Sequence, residues 1–498
     1  MTLQHEVLKE AFNELIGIVG PERVSDNVYF THCYPSELLI RYGVELIRPP
    51  DIVISPRTTK ELSQVVKVAN KYKLPIVAAG AQLALAGGVI PIKGGIMVDT
   101  RGMDRVIEID KENLLAIVQP GITVEKLNAR LEKVGLFYTD MPGSWTISTI
   151  GGRVSTNGCG VYAPKYGRPI EQVVSLEVVL PTGEVVRTGP RKLYDSNAGY
   201  DIMHLFLGDE GTLGIITELT LRVYPIPEYR RREAWMFPSH TILLKAIRKF
   251  LTIGSVPEML LAHDGLGWTS YVWNFYQDYL KEPLPEIPPY AGMLLIGYGG
   301  KKEFVETQMK LCGEIMEEFN GKRLPEDLTE KWWTARLGKP YNPWQTVTWD
   351  AEKKYRTLLM PPCHVPISKA EEFVNSYREL AKKYGLSMWG LQTWIEGPNI
   401  HPCTIHPAVL YDYRKEDERE RARMFKDEIA RIAINLGGGI GGMFAPGLLY
   451  VSCIKDEFEP NALKLMKKIK QLIDPNSIMN PGKKFSKLAQ RARVKRNA

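Results

Sequence analysis

PGSWTISTIGGRVSTNGCGVYAPKYG, residues 142–167, is the stretch whose reading decides the fold. It is crowded with Gly, Ser, Thr and Asn, and its only charges are Arg153 and Lys165. Such a segment makes a poor helix and a poor regular strand. Glycine admits positive φ and lets another group approach to contact distance. Successive backbone N–H groups in loops of this kind form a concave anion site. Long loops inside compact domains usually serve function, so this one reads as a binding loop rather than a surface connection.

Working outward, a second glycine segment lies upstream at Pro75–Gly88, PIVAAGAQLALAGG. A third lies downstream at Gly208–Gly214, GDEGTLG, followed by IITE. Together the three resemble the FAD-binding domain of the vanillyl-alcohol oxidase / p-cresol methylhydroxylase superfamily. They most resemble its glycolate oxidase D-subunit / D-lactate dehydrogenase branch. The resemblance runs over residues 45–228 and returns at Asp474–Lys483, DPNSIMNPGK. It implies an α+β fold in three parts. Residues 1–228 would form a two-subdomain FAD-binding domain of the p-cresol methylhydroxylase type. Residues 229–457 would form a cap, an antiparallel sheet covered by helices. Residues 458–498 would return to the FAD domain and end in a basic tail.

The resemblance also implies contacts, residue by residue. In the family the first glycine segment usually reads PxxxRGGGTSxxGG, and its backbone wraps the FAD pyrophosphate. Here Gly80, Gly87 and Gly88 are kept. Ala79 stands for the Arg, Ala81 and Gln82 for two glycines, and Leu83 and Ala84 for Thr-Ser. That weakens hydrogen bonding through side chains but not through backbone. Pro142, Gly143 and Ser144 resemble the family's PGS element. Thr149, Ile150, Gly151 and Gly152 resemble its TIGG, and Asn157, Gly158, Cys159 and Gly160 its NAGG. Tyr166 and Gly167 match its YG. These residues would contact the pyrophosphate, ribose and flavin ring. Glu210, Gly211, Gly214 and Ile215 resemble the adenine-side segment. Asn480 and Lys483 match the C-terminal flavin contact, although Pro481-Gly482 reads equally as a plain helix stop.

Length and composition bound the rest. A chain of 498 residues is too long for one core and suggests two or three domains. No apolar run reaches the ~18 residues of a membrane span. The first residues, MTLQHEVLKEAFNELIGIV, read as an amphipathic helix with Val7, Leu8, Phe12 and Leu15 on one face. They lack the apolar core and cleavage site of a signal peptide, so a cytoplasmic protein is expected. The net charge of +7 is mild for this length and does not suggest nucleic acid. Much of it sits after Lys483, in KKFSKLAQRARVKRNA. That tail reads as a frayed, solubilising terminus before it reads as a contact to an anionic membrane or partner. The six cysteines form no CxxC pair, so zinc-ribbon and iron–sulfur spacings are missing. Electrons from a reduced flavin would therefore leave to oxygen, a small acceptor such as a quinone, or a partner protein. An electron-transfer flavoprotein or an iron–sulfur subunit would serve. A homo-oligomer is expected.

Periodicity places the elements. Thr58-x-x-Glu61 makes a capping box, and Leu62, Val65, Val66 and Ala69 give the helical stripe behind it. Pro75–Ala79, 95–99, 106–110 and Leu115–Val118 read as strands. A helix follows with Leu127, Leu131 and Val134, stopped at Gly135. Leu176–Leu180 and Glu184–Arg187 flank Pro181-Thr182-Gly183 as a hairpin. Ile215–Val223 is another strand, and Pro225, Pro227 and Arg230–Arg232 mark a boundary. Beyond it, helices are expected over 240–253, Lys301–Phe319, Lys369–Tyr384, Glu416–Leu436 and Asn461–Ile473. Strands are expected over Met293–Gly297, Leu358–Val365 and Ser387–Ile395. This rhythm fits one sheet with helices on one side. Gly437–Gly442 contains GxGxxG but follows a helix instead of a strand, which excludes the dinucleotide fingerprint.

The substrate chemistry belongs to the cap. The hydroxy-acid branch typically carries metal ligands there, in segments resembling HxGDGNxH and GEHGIG. Here the first aligns as TWIEGPNIHP, with His401 kept and Trp394 at the upstream His position. The second aligns as GGMFAPG, with Met443-Phe444 in place of Glu-His. Met and Phe do not bind a hard divalent ion, so no metal site is expected unless His401, His406 and Glu396 rebuild one. Hydride transfer from an alcohol still needs a base for the hydroxyl proton. His401 and His406 are the candidates because histidine titrates near neutrality. Tyr450, in LLYVSCIKDEF, is a third, since the phenol-oxidising branch carries a Tyr in that region; Val451 stands where that branch has Arg. Arg336, in WWTARLG, resembles a carboxylate-binding Arg. The expected activity is FAD-dependent oxidation of a CH–OH group, first of a small D-2-hydroxy acid such as lactate or glycolate. A 4-alkylphenol or aryl alcohol is the second reading, and a non-catalytic flavin-binding subunit the third.

Overall fold

The computed structural model describes residues 2–34, 48–194, 198–269, 286–338, 356–395, 403–442 and 445–485. Helix Thr59–Lys71 begins where the capping signal puts it, with Thr58 Oγ1 accepting from the Glu61 N–H at 3.1 Å. The return arm of the box is displaced by one residue. The Glu61 carboxylate accepts from Arg57 N–H at 2.7 Å and pairs with Arg23 at 2.9 Å. Leu62, Val65, Val66 and Ala69 are fully buried, each large side chain contributing about 1.5–3 kcal/mol over an exposed position. They cover a four-stranded sheet in the order 24–25, 52–54, 96–99, 76–79, whose last three strands are parallel. Helix Thr2–Val19 packs into the same cluster through Ala11, Leu15 and Val19.

A second, antiparallel sheet runs 106–110, 115–118, 215–222, 173–179, 185–187. The anticipated hairpin is its 173–179 and 185–187 edge. Helices Val124–Leu131 and Ile150–Thr156 cover it. The chain's late segment docks on the first sheet: Ile76 N–H donates to Ile478 O, and Asn480 N–H donates to Ile76 O, both at 2.8 Å.

The third sheet, antiparallel, has nine strands among the described residues. They run 322–323, 229–237, 292–300, 259–264, 387–395, 403–412, 363–365, 439–440, and 356–359 also pairs with 403–412. Helices His240–Thr252, Lys302–Glu318, Ala370–Lys383 and Glu416–Asn435 bury their apolar stripes on one face. Three expectations change. Leu358–Val365 is two strands, 356–359 and 363–365, because Pro361 and Pro362 withhold ladder donors. Arg230–Arg232 lie inside strand Tyr229–Phe237. They are accommodated there by acidic partners: Glu258 for Arg230, Glu306 and Glu233 for Arg231, and Glu330 for Arg232. Helices do not keep to one face, because Trp332 and Trp333 of helix Glu326–Gly338 join the opposite cluster. Strands Met259–Asp264 and Cys403–Asp412 were not anticipated.

Candidate active site

The three glycine segments and the C-terminal segment meet at the end of strand Ile76–Ala79. Gly80 lies against Thr149 so closely that a methyl group there would overlap Thr149 Oγ1. Asn480 Nδ2 donates to Gly88 O at 2.8 Å and to Glu210 O at 2.7 Å. Lys483 Nζ donates to Ile90 O at 2.7 Å. Three non-glycine residues at this meeting point hold positive φ: Gln82 at 56°, Glu210 at 59° and Asn480 at 37°. Backbones held this way turn their amides inward, the arrangement that cradles an anion.

Polar groups here are left for a ligand. Gln82 Oε1, Trp145 Nε1, Thr146 Oγ1, Thr149 Oγ1 and Asn480 Oδ1 are buried with no hydrogen-bond partner. Buried polar atoms ordinarily have one. Thr149 caps the 150–156 helix without using its hydroxyl. Glu210 is buried, its carboxylate accepts no hydrogen bond, and Lys484 Nζ lies 3.4 Å from it. Its neighbour Asp209 is pushed up to about 7 by burial, which outweighs the N–H groups of Gly211 and Leu213 that it accepts. Donors and acceptors in series along these glycine segments fit the pyrophosphate, ribityl chain and ring edge of FAD.

Several expected contacts do other work. Gly214 is required by packing: a Cβ there would lie 2.5 Å from Val178 Cγ1, between two strands. A Cβ at Gly151 would likewise lie 2.5 Å from Pro120 Cβ, and one at Gly158 would meet the Arg153 guanidinium, which pairs with buried Asp140 at 2.7 Å. A Cβ at Gly160 would lie 2.5 Å from Met141 N. Tyr166 turns to the cap, where its hydroxyl donates to Glu258 at 3.2 Å and its ring lies 4.6 Å from that of Tyr224. Ser144 exchanges a hydrogen bond with Ser148 at 2.6 Å. Ala79 ends its strand, Ala81, Leu83 and Ala84 are half-buried in the 80–88 loop, and Ile215 opens a strand. Pro142 and Gly143 precede the Ser144 turn.

The cap sheet turns its other face to the organising loop. Met259, Leu261, Met293, Leu295 and Trp394 pack there with Cys159, Val161, Tyr162 and Ala163. Strand alternation puts residues 261 and 263 on one face. Register then aligns Leu261 with Trp394 and Thr404, and His263 with Gln392 and His406. His364, opposite Thr404, shares a 2.9 Å hydrogen bond with its hydroxyl. Burial pushes His263, His364 and His406 down to about 3, so all three are neutral imidazoles. Neither ring nitrogen of His406 has a hydrogen-bond partner.

His406 is therefore on the face directed at the loop. Tyr450 is not: its hydroxyl donates to Pro362 O at 3.2 Å, beside Cys363 Sγ. Cys363 pairs with Ile405 and belongs to the helix-covered core, so the phenol is spent on the far side of the sheet from His406. Arg336 falls in helix Glu326–Gly338, with its side chain outside the described residues. His401, Glu396, Met443 and Phe444 lie outside the described residues. Among the described residues no cluster of three His, Cys, Asp or Glu could hold a metal. The sequence reading missed His263, His364, Gln392 and Thr404. The apolar run Met259–Asp264 was the signal that could have found the first.

Comparison with known proteins bears on the family. The FAD binding domain model matches residues 50–189, and the model of the C-terminal domain of FAD linked oxidases matches residues 226–484. Glycolate oxidase subunit GlcD of Bacillus subtilis is 31% identical over 485 residues, 97% of this chain and 98% of that one. A probable mitochondrial D-lactate dehydrogenase of Danio rerio is 29% identical over 457 residues, 89% of this chain and 85% of that one. The solved structure of 4-ethylphenol oxidase from Gulosibacter chungangensis superposes with a TM-score of 0.79 at 20% identity, covering 96% of this chain and 97% of that one. A p-cresol methylhydroxylase superposes at 0.78 and 18%, covering 97% and 98%. With both parts matched, and buried unpartnered polar atoms that suit the cofactor, the chain belongs to the FAD-linked oxidases and is an FAD-dependent oxidoreductase.

Proposed function

We propose that the protein oxidises the CH–OH group of a small D-2-hydroxy acid of the lactate or glycolate type, with His406 taking the hydroxyl proton. The observation that carries this reading is a wholly buried imidazole with neither nitrogen hydrogen-bonded, on the cap face turned toward the loop. A base must be unprotonated and within reach of the proton it removes. Bound FAD supplies the hydride acceptor. The chain's own residues hold the substrate against the 159–163 segment, exclude water through the surrounding aromatic and aliphatic side chains, and receive the proton at an imidazole nitrogen of His406. The curated relatives with hydroxy-acid names support the substrate class. Electrons then leave to an external acceptor: oxygen, a quinone, or a partner protein such as an electron-transfer flavoprotein or iron–sulfur subunit.

The second reading, oxidation of a 4-alkylphenol or aryl alcohol, is favoured by the lining itself. Phe137, Tyr162, Trp268, Trp332, Trp333 and Trp394 gather in the cluster on this face. Anaerobic titration of the FAD-loaded protein separates the two. Bleaching of the flavin band by D-lactate or glycolate supports the first reading. Bleaching by 4-ethylphenol alone overturns it in favour of the second, and bleaching by neither overturns both. In the described residues no helix is long and apolar enough to cross a membrane.

A further inference from the structure

We propose that Trp268 and Trp394 bind an anionic oxygen of the substrate through their indole N–H groups. The inference rests on the reading of the cap face given above and adds the groups that recognise the ligand. Trp268 is 1% exposed and Trp394 4% exposed, and neither Nε1 has a hydrogen-bond partner. An indole nitrogen is a donor only, so what satisfies it must be an acceptor. Leaving a buried donor unmatched is costly, and two in one cluster are a stronger sign than one. Their aliphatic neighbours in that cluster, such as Val161, Leu261 and Leu295, offer no side-chain acceptor.

The two indoles stand beside the histidine row. The Trp268 ring stands edge-on to His263, with centroids 6.2 Å apart and an interplanar angle of 81°. Trp394 lies in the neighbouring register row, between Leu261 and Thr404. Two neutral donors beside a free imidazole match a 2-hydroxy acid: the carboxylate accepts the two N–H groups and the hydroxyl faces His406. A phenolate oxygen could use the same donors. In a dry site a neutral N–H holds an anion without bringing a second buried charge that needs its own partner.

The test uses the FAD-loaded protein, with oxalate and 4-ethylphenol as probes, read by perturbation of the flavin absorbance. Trp268→Phe and Trp394→Phe keep an aromatic ring and remove the donor. Oxalate affinity is expected to fall about ten- to hundredfold in each variant, with FAD occupancy and Tm retained. Ultraviolet resonance Raman on the wild-type protein gives a second readout: the indole N–H marker shifts on adding oxalate. If a variant fails to load FAD, the wild-type spectrum alone decides. Unchanged oxalate affinity in both variants, or no marker shift on binding, overturns the proposal. If 4-ethylphenol binds instead and both variants weaken it, the indole donors stand and the hydroxy-acid reading falls. If neither probe perturbs the flavin, both fall.

Discussion

Asn480 joins Glu210: the Asn480 side-chain amide donates to the Glu210 carbonyl at 2.7 Å, and its second N–H reaches Gly88 O at 2.8 Å. One buried amide thus ties the first glycine segment, the third and the C-terminal return into one cradle. Replacing it with Ala leaves two buried carbonyls unsatisfied, at about 1–3 kcal/mol each. Asn480→Ala should lower Tm and weaken FAD binding. Asn480→Asp, with an acceptor facing two acceptors, should do so more. Flavin fluorescence titration and thermal unfolding check both, and equal behaviour of the two variants would contradict the geometry.

Gly80→Ala should disrupt the same cradle by a different route. The added methyl meets Thr149 Oγ1 at overlapping distance, with Thr149 Cβ at 3.3 Å behind it. Overpacking of this sort costs about 1–3 kcal/mol. Thr149→Ala should restore stability to Gly80→Ala while leaving FAD affinity below wild type, because the unpartnered hydroxyl is lost as well. A double-mutant cycle in Tm and FAD affinity checks this; simple additivity in Tm would remove the steric explanation.

The cap's buried histidines predict an acid limit. Burial lowers His240, His263, His364 and His406 to about 3 from an ordinary value of 6.5. Between those values the unfolded chain binds protons that the folded chain does not, so stability falls as pH drops from 6.5 toward 3. Each such histidine contributes a slope of about 1.4 kcal/mol per pH unit within that window. His406→Gln should flatten the curve by one proton's slope, measured by denaturant unfolding across pH. A curve parallel to wild type would mean that His406 is not the buried neutral group described here.

His406→Gln should also separate chemistry from binding. Loss of a positioned base costs about 10²–10⁴-fold in rate, while FAD loading should persist because no cradle residue is touched. Tyr450→Phe should do the opposite. It removes a hydrogen bond to Pro362 O worth about 1 kcal/mol, lowers Tm slightly, and leaves flavin reduction unchanged. Stopped-flow reduction of both variants decides between the two residues. A large rate loss in Tyr450→Phe with His406→Gln intact would reverse the assignment.

The cofactor side of this protein was legible in its sequence to a degree the substrate side was not. Gly80, Gly88, Glu210 and Asn480 declare themselves because glycine-rich loops encode backbone requirements locally. Positive φ and close approach are properties of a few adjacent residues. Even there, Gly151 and Gly214 serve packing against Pro120 and Val178, and Tyr166 serves the cap through Glu258. A motif reports that glycine is needed but not which neighbour needs it.

On the cap, local signals pointed in several directions. The basic cluster Arg230–Arg232 looked like a boundary, yet it lies in a strand because Glu258, Glu306 and Glu330 come from other elements to meet it, and Glu233 of the same strand pairs with Arg231. Tyr450 sits in a suggestive segment, and only the fold shows its hydroxyl committed to Pro362 O.

By itself the sequence determined an FAD-binding α+β chain with a helix-covered cap. The tertiary structure alone decided that His263, Gln392 and His406 share one row, and that Trp268 and Trp394 stand beside it with unpartnered N–H groups. The physical reason is cross-strand register. It brings together residues far apart in the chain, and a slip of one position would turn each of them to the opposite face.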